Sequence, residues 1–223
     1  MLGLGVSDDK IFKYPFSSIH KDEILSEPVS KDEKLELRKK LGMTEEKIIL
    51  SVGRFTYNGG YGKGFDLLIK SAASFEKNIG FYIVGDEPTQ EFVDLVKELN
   101  VENVHFIGFK TKTELSEYYM ASDLFVLMTR GDVWGLVINE AMSKGLPVIT
   151  TDKCIAGLEM ISSEYLIFDL DNFDSIVFKL SELIGDDTLM NIISKQNLQI
   201  CSKYTIELMA ESHIAILNQL GEN

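Results

Sequence analysis

Short apolar runs alternate along the chain with longer segments in which apolar residues recur every three or four positions. Runs such as 48–52 and 81–84 are typical of buried strands, whereas the spacing within 65–75 and 92–99 is typical of amphipathic helices. The pattern continues with strands at 104–107, 124–128, 147–150 and 165–168, and with helices at 114–120, 136–144, 173–184, 189–202 and 206–220. This alternation predicts an α/β fold, a Rossmann-like parallel sheet with helices on both faces.

The two ends of the chain depart from this alternation. Residues 1–30 contain scattered glycines and prolines without a sustained period, which predicts an interdomain linker or the start of a domain. A charged helix at Lys31–Leu41, ended by Gly42, then opens a domain that we place at 31–190. Residues 191–223 are predicted to form C-terminal helices with apolar faces.

Three of the early strands end at a glycine, at Gly53, Gly85 and Gly108, where the backbone must turn sharply. In open parallel sheets, ligands bind beyond the carboxyl ends of the strands. We therefore expect a binding site in the loops that follow these glycines.

The first of these loops, 53–64, holds five glycines together with Arg54 and Lys63. Glycines let backbone amides approach an anion, a helix start attracts negative charge, and the two cations suit a diphosphate. The loop is not a Walker A motif, because Gly64 follows Lys63 where that motif has Ser or Thr. The alternative is a flexible loop with two solvated cations.

A second candidate site combines Asp132 and Glu140 with the helix start at Gly135 and Leu136. The free amides of a helix start can receive a phosphate, and a carboxylate that accepts two hydrogen bonds suits the vicinal hydroxyls of a ribose. The alternative is a helix capped by Asp132 with Glu140 in solvent.

A third candidate is the corner formed by Ile107, Gly108 and Phe109, where a glycine beside an aromatic side chain offers room for a flat base. The alternative is an ordinary strand-to-loop corner. Further along, the strand at 147–150 leads into a loop at 151–157 that is expected to end on the same side of the sheet.

Composition narrows the classes of function. The chain has 223 residues, 45% of them hydrophobic, which is enough for a real core. Its net charge of −13 argues against a general nucleic-acid binder. No apolar run reaches the roughly 20 residues of a membrane span, and Cys154 and Cys201 make no disulfide framework. We therefore expect a cytoplasmic protein, and three scattered histidines give no reason to expect a histidine-rich metal site.

Taken together and in this order, the motifs resemble the C-terminal, donor-binding half of a GT-B glycosyltransferase. They are most similar to glycosyltransferase family 4, the group 1 glycosyltransferases. The segments that carry the resemblance are Val52-Gly53-Arg54, Lys63-Gly64, Val84-Gly85-Asp86, the corner from Val104 to Gly108, and the signature from Asp132 through Glu140 to Ile149.

The resemblance implies a role for each candidate residue. Arg54 and Lys63 would hold the diphosphate of the donor, Glu140 would bind the ribose, and the single catalytic candidate, Asp132, would face the transferred sugar. The remaining binding residues would contact the phosphate or the base: Gly135 and Leu136 for the phosphate, and Ile107, Gly108 and Phe109 for the base. Asp132 departs from the family, which usually has Glu there, and the first loop is unusually long.

The resemblance also implies a reaction. A hexosyltransferase of polysaccharide biosynthesis would move a hexose, with retention, from a UDP- or GDP-sugar to a glycan or lipid-linked acceptor, with no metal and no cofactor. The N-terminal domain of the GT-B fold is missing, so this fragment alone is expected to be inactive, and the C-terminal helices at 191–223 are candidates for contact with that domain. Peripheral contact with the inner face of the membrane, through the missing domain, is left open. Two alternatives are a non-catalytic sugar-nucleotide-binding subunit and a GT-B sugar-nucleotide epimerase.

Overall fold

The computed structural model describes residue 7 and residues 10–55 and 61–221. Within these residues the chain forms six strands and nine α-helices. The strands are β1 (Lys47–Val52), β2 (Ile79–Val84), β3 (Val104–Gly108), β4 (Leu124–Leu127), β5 (Val148–Thr151) and β6 (Ile167–Phe168). The helices are α1 (Lys31–Leu41), α2 (Phe65–Ala72), α3 (Gln90–Glu98), α4 (Lys112–Ala121), α5 (Leu136–Ser143), α6 (Ile155–Met160), α7 (Phe173–Gly185), α8 (Asp187–Cys201) and α9 (Ile206–Gly221).

The six strands form one parallel sheet in the order β3-β2-β1-β4-β5-β6. This is the Rossmann-like arrangement that the alternation of strands and helices predicts. The order reverses between β1 and β4, so the connections that leave these two strands run to opposite faces. A crevice opens at such a reversal, beyond the carboxyl ends of the strands.

Each strand contributes alternate residues to two separate hydrophobic clusters, because side chains along a strand point to opposite faces. Ile49 and Val126 lie in a cluster with residues of α2, α3 and α7. Ile48 and Phe125 lie in the other cluster, with residues of α4, α5 and α6. The sheet is therefore covered on both faces, which explains why its strands are apolar runs without alternation.

Most predicted elements are confirmed to within a few residues, and the differences have local causes. The predicted loop at 151–157 is wrong from Ile155 onward, where α6 begins. Six residues are too few for a helical period to stand out in the sequence. The predicted strand at 165–168 is wrong in its first half, because a short 3-10 helix at Glu164–Leu166 leaves only Ile167–Phe168 in the sheet.

The C-terminal helices differ in how they pack. Helix α8 buries Ile193 and Leu198 and packs against α5 and α7, whereas Leu217 and Leu220 of α9 are exposed by more than half. The segment before α1 also contacts α9, since the Ile206 amide donates to the Ile19 carbonyl. The proposed boundaries at residues 30 and 190 stay predictions. None of the helices in the described part of the chain is long and apolar enough to cross a bilayer.

Candidate functional site

The two charged loops predicted from the sequence meet at the reversal in the sheet. Lys63 lies in the connection from β1 to α2, and Asp132 lies in the connection from β4 to α5. The Nζ atom of Lys63 is 2.5 Å from Oδ2 of Asp132, and both side chains are less than one fifth exposed. The fold thus brings together a cation and a carboxylate that are 69 positions apart in sequence.

Backbone contacts hold these loops side by side. The amide of Arg130 and the hydroxyl of Thr129 both donate to the carbonyl of Gly62, each at 2.9 Å. Gly64 has a φ of 72°, and a β-carbon there would stand 1.8 Å from the carbonyl oxygen of Met128. Only glycine fits this position, so the Lys-Gly pair places Lys63 against the end of β4.

Helix α5 starts beside the ion pair. Its N-cap, Gly135, has a φ of 94°, and a β-carbon at that position would lie 3.8 Å from the carboxyl carbon of Asp132 and 2.5 Å from Sγ of Cys154. The first amides of a helix have no acceptor within it and carry partial positive charge. The site therefore presents one ammonium group, one carboxylate and a helix start within a few ångströms of each other.

Two alternatives from the sequence are resolved here. Asp132 does not act as the helix cap, because Gly135 occupies that position and no side chain caps this helix. Glu140 is not a solvated side chain, because its Oε2 accepts a 2.9 Å hydrogen bond from the hydroxyl of Tyr119, which is buried.

Burial shifts the pKa values of both Glu140 and Tyr119. Loss of solvent raises the pKa of Glu140 above its ordinary value, and the hydrogen bond from Tyr119 partly opposes that shift. Burial raises the pKa of Tyr119 well above its ordinary value, and the nearby Glu140 carboxylate adds to the shift. The pair lines a small cavity of about 30 Å³ together with Lys112 and Ser116. Tyr119 therefore stays a hydrogen-bond donor to Glu140 throughout the physiological range.

The predicted base corner lies further along the sheet. Gly108 has a φ of 73°, its carbonyl accepts from the Gly85 amide at 3.3 Å, and the side chain of Phe109 is 77% exposed. Strand β3, which Ile107 and Gly108 end, is two strands away from β1. At a strand spacing near 4.8 Å, that distance is about 10 Å.

Arg54 follows β1 directly and is exposed at the same edge of the sheet. The loop around it packs closely, since a β-carbon on Gly85 would stand 1.9 Å from the Gly53 carbonyl oxygen. The Phe55 amide donates to the carboxylate of Asp86. Residues 56–60, which include two of the five glycines of this loop, lie outside the described residues.

Sequence reasoning missed two charged residues that contact this site. The guanidinium of Arg130 binds both carboxylate oxygens of Asp66, at 2.7 and 2.8 Å. Their positions were a signal, because Asp66 is three residues after Lys63 and Arg130 is two before Asp132. Among the residues described, no group of three or more His, Cys, Asp or Glu side chains is arranged to hold a metal ion.

Comparison with known proteins agrees with the motifs. A family model described as glycosyl transferases group 1 matches residues 33–199. Sulfoquinovosyl transferase SQD2 of Arabidopsis thaliana is 30% identical over 183 residues, which are 79% of this chain and 34% of that protein. The lipopolysaccharide glucosyltransferase WaaG of Escherichia coli K12 is 30% identical over 138 residues, which are 61% of this chain and 36% of that protein.

The fold also matches solved structures. The crystal structure of Anabaena HepE in complex with UDP and glucose superposes with a TM-score of 0.79 at 19% identity, covering 100% of this chain and 60% of that one. The chain spans about a third to a half of the length of the curated relatives it matches.

Proposed function

This chain belongs to the group 1 glycosyltransferase family, and on that premise we propose that it is the donor-binding half of a hexosyltransferase. It binds a UDP- or GDP-sugar in the crevice between β1 and β4. The complete protein transfers the hexose, with retention, to a hydroxyl of a glycan or lipid-linked acceptor.

The observation that carries this proposal is the meeting of Lys63, Asp132 and the start of α5. The Nζ atom of Lys63 lies 2.5 Å from Asp132, beyond the carboxyl ends of β1 and β4. A diphosphate bound beyond these strand ends would meet the ammonium group of Lys63 and the amides at Gly135 and Leu136. Arg54, exposed at the same edge, would supply a second cation, and no metal is needed to balance the charge.

These groups match the charge changes of glycosyl transfer. The bond between the anomeric carbon and the diphosphate oxygen breaks, and its electron pair leaves with the diphosphate. The acceptor's hydroxyl oxygen forms the new bond to the anomeric carbon, and its proton passes to the leaving diphosphate. Lys63 and the helix start stabilise that growing negative charge electrostatically. Asp132 would face the positive charge that develops on the sugar ring. In the Lys63–Asp132 pair, the ammonium group would stabilise the negative charge on the diphosphate and the carboxylate the positive charge on the sugar.

The rest of a nucleotide would extend along the edge of the sheet. Glu140 lies on α5, four residues after Leu136 at the start of that helix. Its carboxylate would accept hydrogen bonds from the ribose hydroxyls. The corner at Ile107, Gly108 and Phe109 lies about 10 Å from β1, a separation that supports a base at one end and a diphosphate at the other.

The acceptor side belongs to a second, N-terminal domain in this proposal. What supports it is the length of the relatives, of which this chain spans a third to a half. We expect this chain alone to bind the donor without transferring sugar. A non-catalytic sugar-nucleotide-binding subunit fits the same donor site, and transfer by the complete protein is what separates the two.

A thermal-shift panel tests donor binding directly. UDP, GDP and their hexose conjugates are added to the chain, with ATP as a nucleotide control. A ligand at 100 times its Kd stabilises the folded state by about 2.7 kcal/mol, so the melting temperature rises by several degrees. The absence of a shift with every uridine and guanosine ligand would remove the proposed function.

Product analysis then tests the chemistry on the complete protein. Proton NMR of the product from a UDP- or GDP-hexose is expected to give the donor's own anomeric configuration on a new glycosidic bond. If the product were instead a free sugar nucleotide with one inverted ring carbon, the protein would be an epimerase and not a transferase.

A further inference from the structure

A forked ion pair joins the first turn of α2 to the loop that carries Asp132. Nη1 and Nη2 of Arg130 contact the two carboxylate oxygens of Asp66 at 2.7 and 2.8 Å. The Asp66 side chain is only 5% exposed, and its carboxylate raises the pKa of the Arg130 guanidinium. Two parallel hydrogen bonds fix the direction of approach as well as the distance. The pair therefore fixes the position of α2 relative to the loop that follows β4.

Arg130 also binds the segment just before Lys63. Its Nη1 donates to the Tyr61 carbonyl at 2.6 Å, and its amide donates to the Gly62 carbonyl at 2.9 Å. Arg130 therefore contacts the chain on both sides of Lys63, through the backbone carbonyls of Tyr61 and Gly62 before it and through the side chain of Asp66 after it.

The segment around Lys63 needs such support. Gly62 and Gly64 flank Lys63 and restrict the backbone little, and the lysine ammonium group is carried on a flexible four-carbon stem. An ammonium group acts on a diphosphate only when it is held in place before the ligand arrives. Arg130 can hold the segment in this way because three of the five N–H donors of its guanidinium bind Asp66 and Tyr61.

We propose that Arg130 and Asp66 are positioning residues of the donor site, which fix the Lys63 segment against the loop of Asp132. The proposal rests on the proposed function in so far as the ligand is a nucleoside diphosphate. Neither residue is assigned contact with the donor; both act through Lys63.

The sign of one substitution separates positioning from direct binding. Asp66→Asn removes a negative charge from the vicinity of the diphosphate, so electrostatics alone would strengthen binding of an anion. Positioning predicts the opposite, because the neutral amide no longer holds the Arg130 fork and the Lys63 segment is released. A direct role for Arg130 as a phosphate ligand also predicts tighter binding in Asp66→Asn, since the guanidinium becomes available.

Calorimetry with UDP on the 223-residue chain measures that sign. We expect Asp66→Asn and Arg130→Lys each to raise the Kd about tenfold, the equivalent of one lost charge-assisted hydrogen bond. The matched control is Asp123→Asn, which breaks the ion pair of Asp123 with Arg38 before β4, at the opposite end of the sheet. We expect this control to lower the melting temperature and to leave the Kd for UDP unchanged. A general loss of stability would then not explain a weaker affinity in the two test variants.

A double-mutant cycle tests whether the two residues act through Lys63. In a Lys63→Ala background, Arg130→Lys should change the Kd by less than about twofold, because the group that it positions is gone. A tenfold loss in both backgrounds would mean that Arg130 contacts the ligand itself, and would overturn the proposal. Tighter UDP binding by Asp66→Asn would overturn it as well.

Hydrogen exchange without ligand keeps the two proposals distinguishable. The Arg130 amide, bonded to Gly62, and the Gly64 amide, bonded to Tyr61, should exchange faster in Asp66→Asn than in Asp123→Asn. If UDP fails to bind the wild-type chain and these amides still lose protection, the proposed function fails and the fixing of the segment stands. Unchanged protection at both amides would refute positioning, whether or not UDP binds.

Discussion

At the scale of single residues, Lys63 and Asp132 neutralise each other at 2.5 Å. In the proposed function, a diphosphate that recruits Lys63 would therefore have to compete with a carboxylate that is already in contact. The affinity for UDP would then be a difference between two interactions of the same ammonium group, and we expect the two partners to respond to substitution with opposite signs.

We expect Lys63→Ala to weaken UDP binding by roughly 1.5–3 kcal/mol, the range of a charge-assisted hydrogen bond. Asp132→Asn should make UDP binding tighter, because the competing carboxylate is neutralised while Lys63 remains. Calorimetry on both variants checks this. Equal affinity for UDP in Lys63→Ala and the wild type would show that Lys63 does not bind the diphosphate.

Arg54 allows a second test of the same anion site. Arg54→Ala should also weaken UDP binding by roughly 1.5–3 kcal/mol if its exposed guanidinium reaches the diphosphate. Lys110, beyond the base corner and outside the proposed phosphate position, offers a control of equal charge. Equal losses in Arg54→Ala and Lys110→Ala would reduce the role of Arg54 to a general effect of charge.

Glu140 tests the ribose assignment. Glu140→Gln should weaken the binding of UDP and leave the binding of pyrophosphate almost unchanged, because only UDP carries a ribose. Tyr119→Phe, which removes the hydrogen bond to Oε2, should have a smaller effect in the same direction. Equal losses for UDP and pyrophosphate would remove Glu140 from the ribose position.

The raised pKa of Glu140 predicts a dependence on pH. Because burial raises this pKa in the folded state, the stability contributed by Glu140 is present below its ordinary pKa and is lost as pH rises through the folded value. Glu140→Gln should therefore melt at a higher temperature than wild type at pH 7, and this advantage should shrink by pH 4. Thermal unfolding across this range checks the sign, and an advantage that grew toward pH 4 would contradict it.

At the scale of elements, the glycines that begin α2 and α5 decide where the charged side chains stand. Gly64 and Gly135 both have a positive φ, and both lie where a β-carbon would collide with a neighbour. The loops can approach each other only because these two positions carry no side chain. The Lys-Gly and Gly-Leu pairs of the sequence are therefore packing requirements, whatever ligand the loops bind.

Gly64→Ala should destabilise the fold by roughly 2–4 kcal/mol, since it combines a strained backbone with a collision against the Met128 carbonyl. Gly131→Ala is the matched control in the neighbouring loop, because its β-carbon meets nothing within 4 Å. Denaturant unfolding of the two variants checks the difference. A Gly64→Ala variant as stable as Gly131→Ala would show that the close packing of these loops is not essential.

At the scale of the whole molecule, α9 stands apart from the core. Ile214, Leu217 and Leu220 are each exposed by more than half, whereas Leu198 of the preceding helix is buried. The exposed side chains gain little from folding of this chain, so the energy that they contribute to its stability must be small.

The double variant Ile214→Gln, Leu217→Gln should change the free energy of unfolding by less than about 0.5 kcal/mol per site and reduce self-association at high concentration. Leu198→Gln, at a buried position, should cost several times more and serves as the control. Denaturant unfolding and sedimentation velocity measure the two effects. A large loss of stability in the α9 variant would mean that this helix is packed more tightly than its exposure indicates.

Much of the molecule follows from the sequence alone. Apolar runs of four to six residues and helical spacings give the parallel α/β sheet, because burial on both faces requires continuous hydrophobic strands. The glycines at the strand ends indicate the edge where the candidate residues lie, since ligands bind beyond the carboxyl ends of such strands. These signals are local or periodic, so they can be recognised in the sequence without knowledge of the tertiary structure.

Only the tertiary structure decided which charges meet. The pairing of Lys63 with Asp132, the fork of Arg130 onto Asp66 and the burial of Glu140 against Tyr119 all join residues that are distant in sequence. They depend on the strand order that places β4 beside β1, and on two loops packed to backbone contact. A sequence specifies the residues that can form an ion pair, but distance and burial determine which pair forms and how strongly it holds.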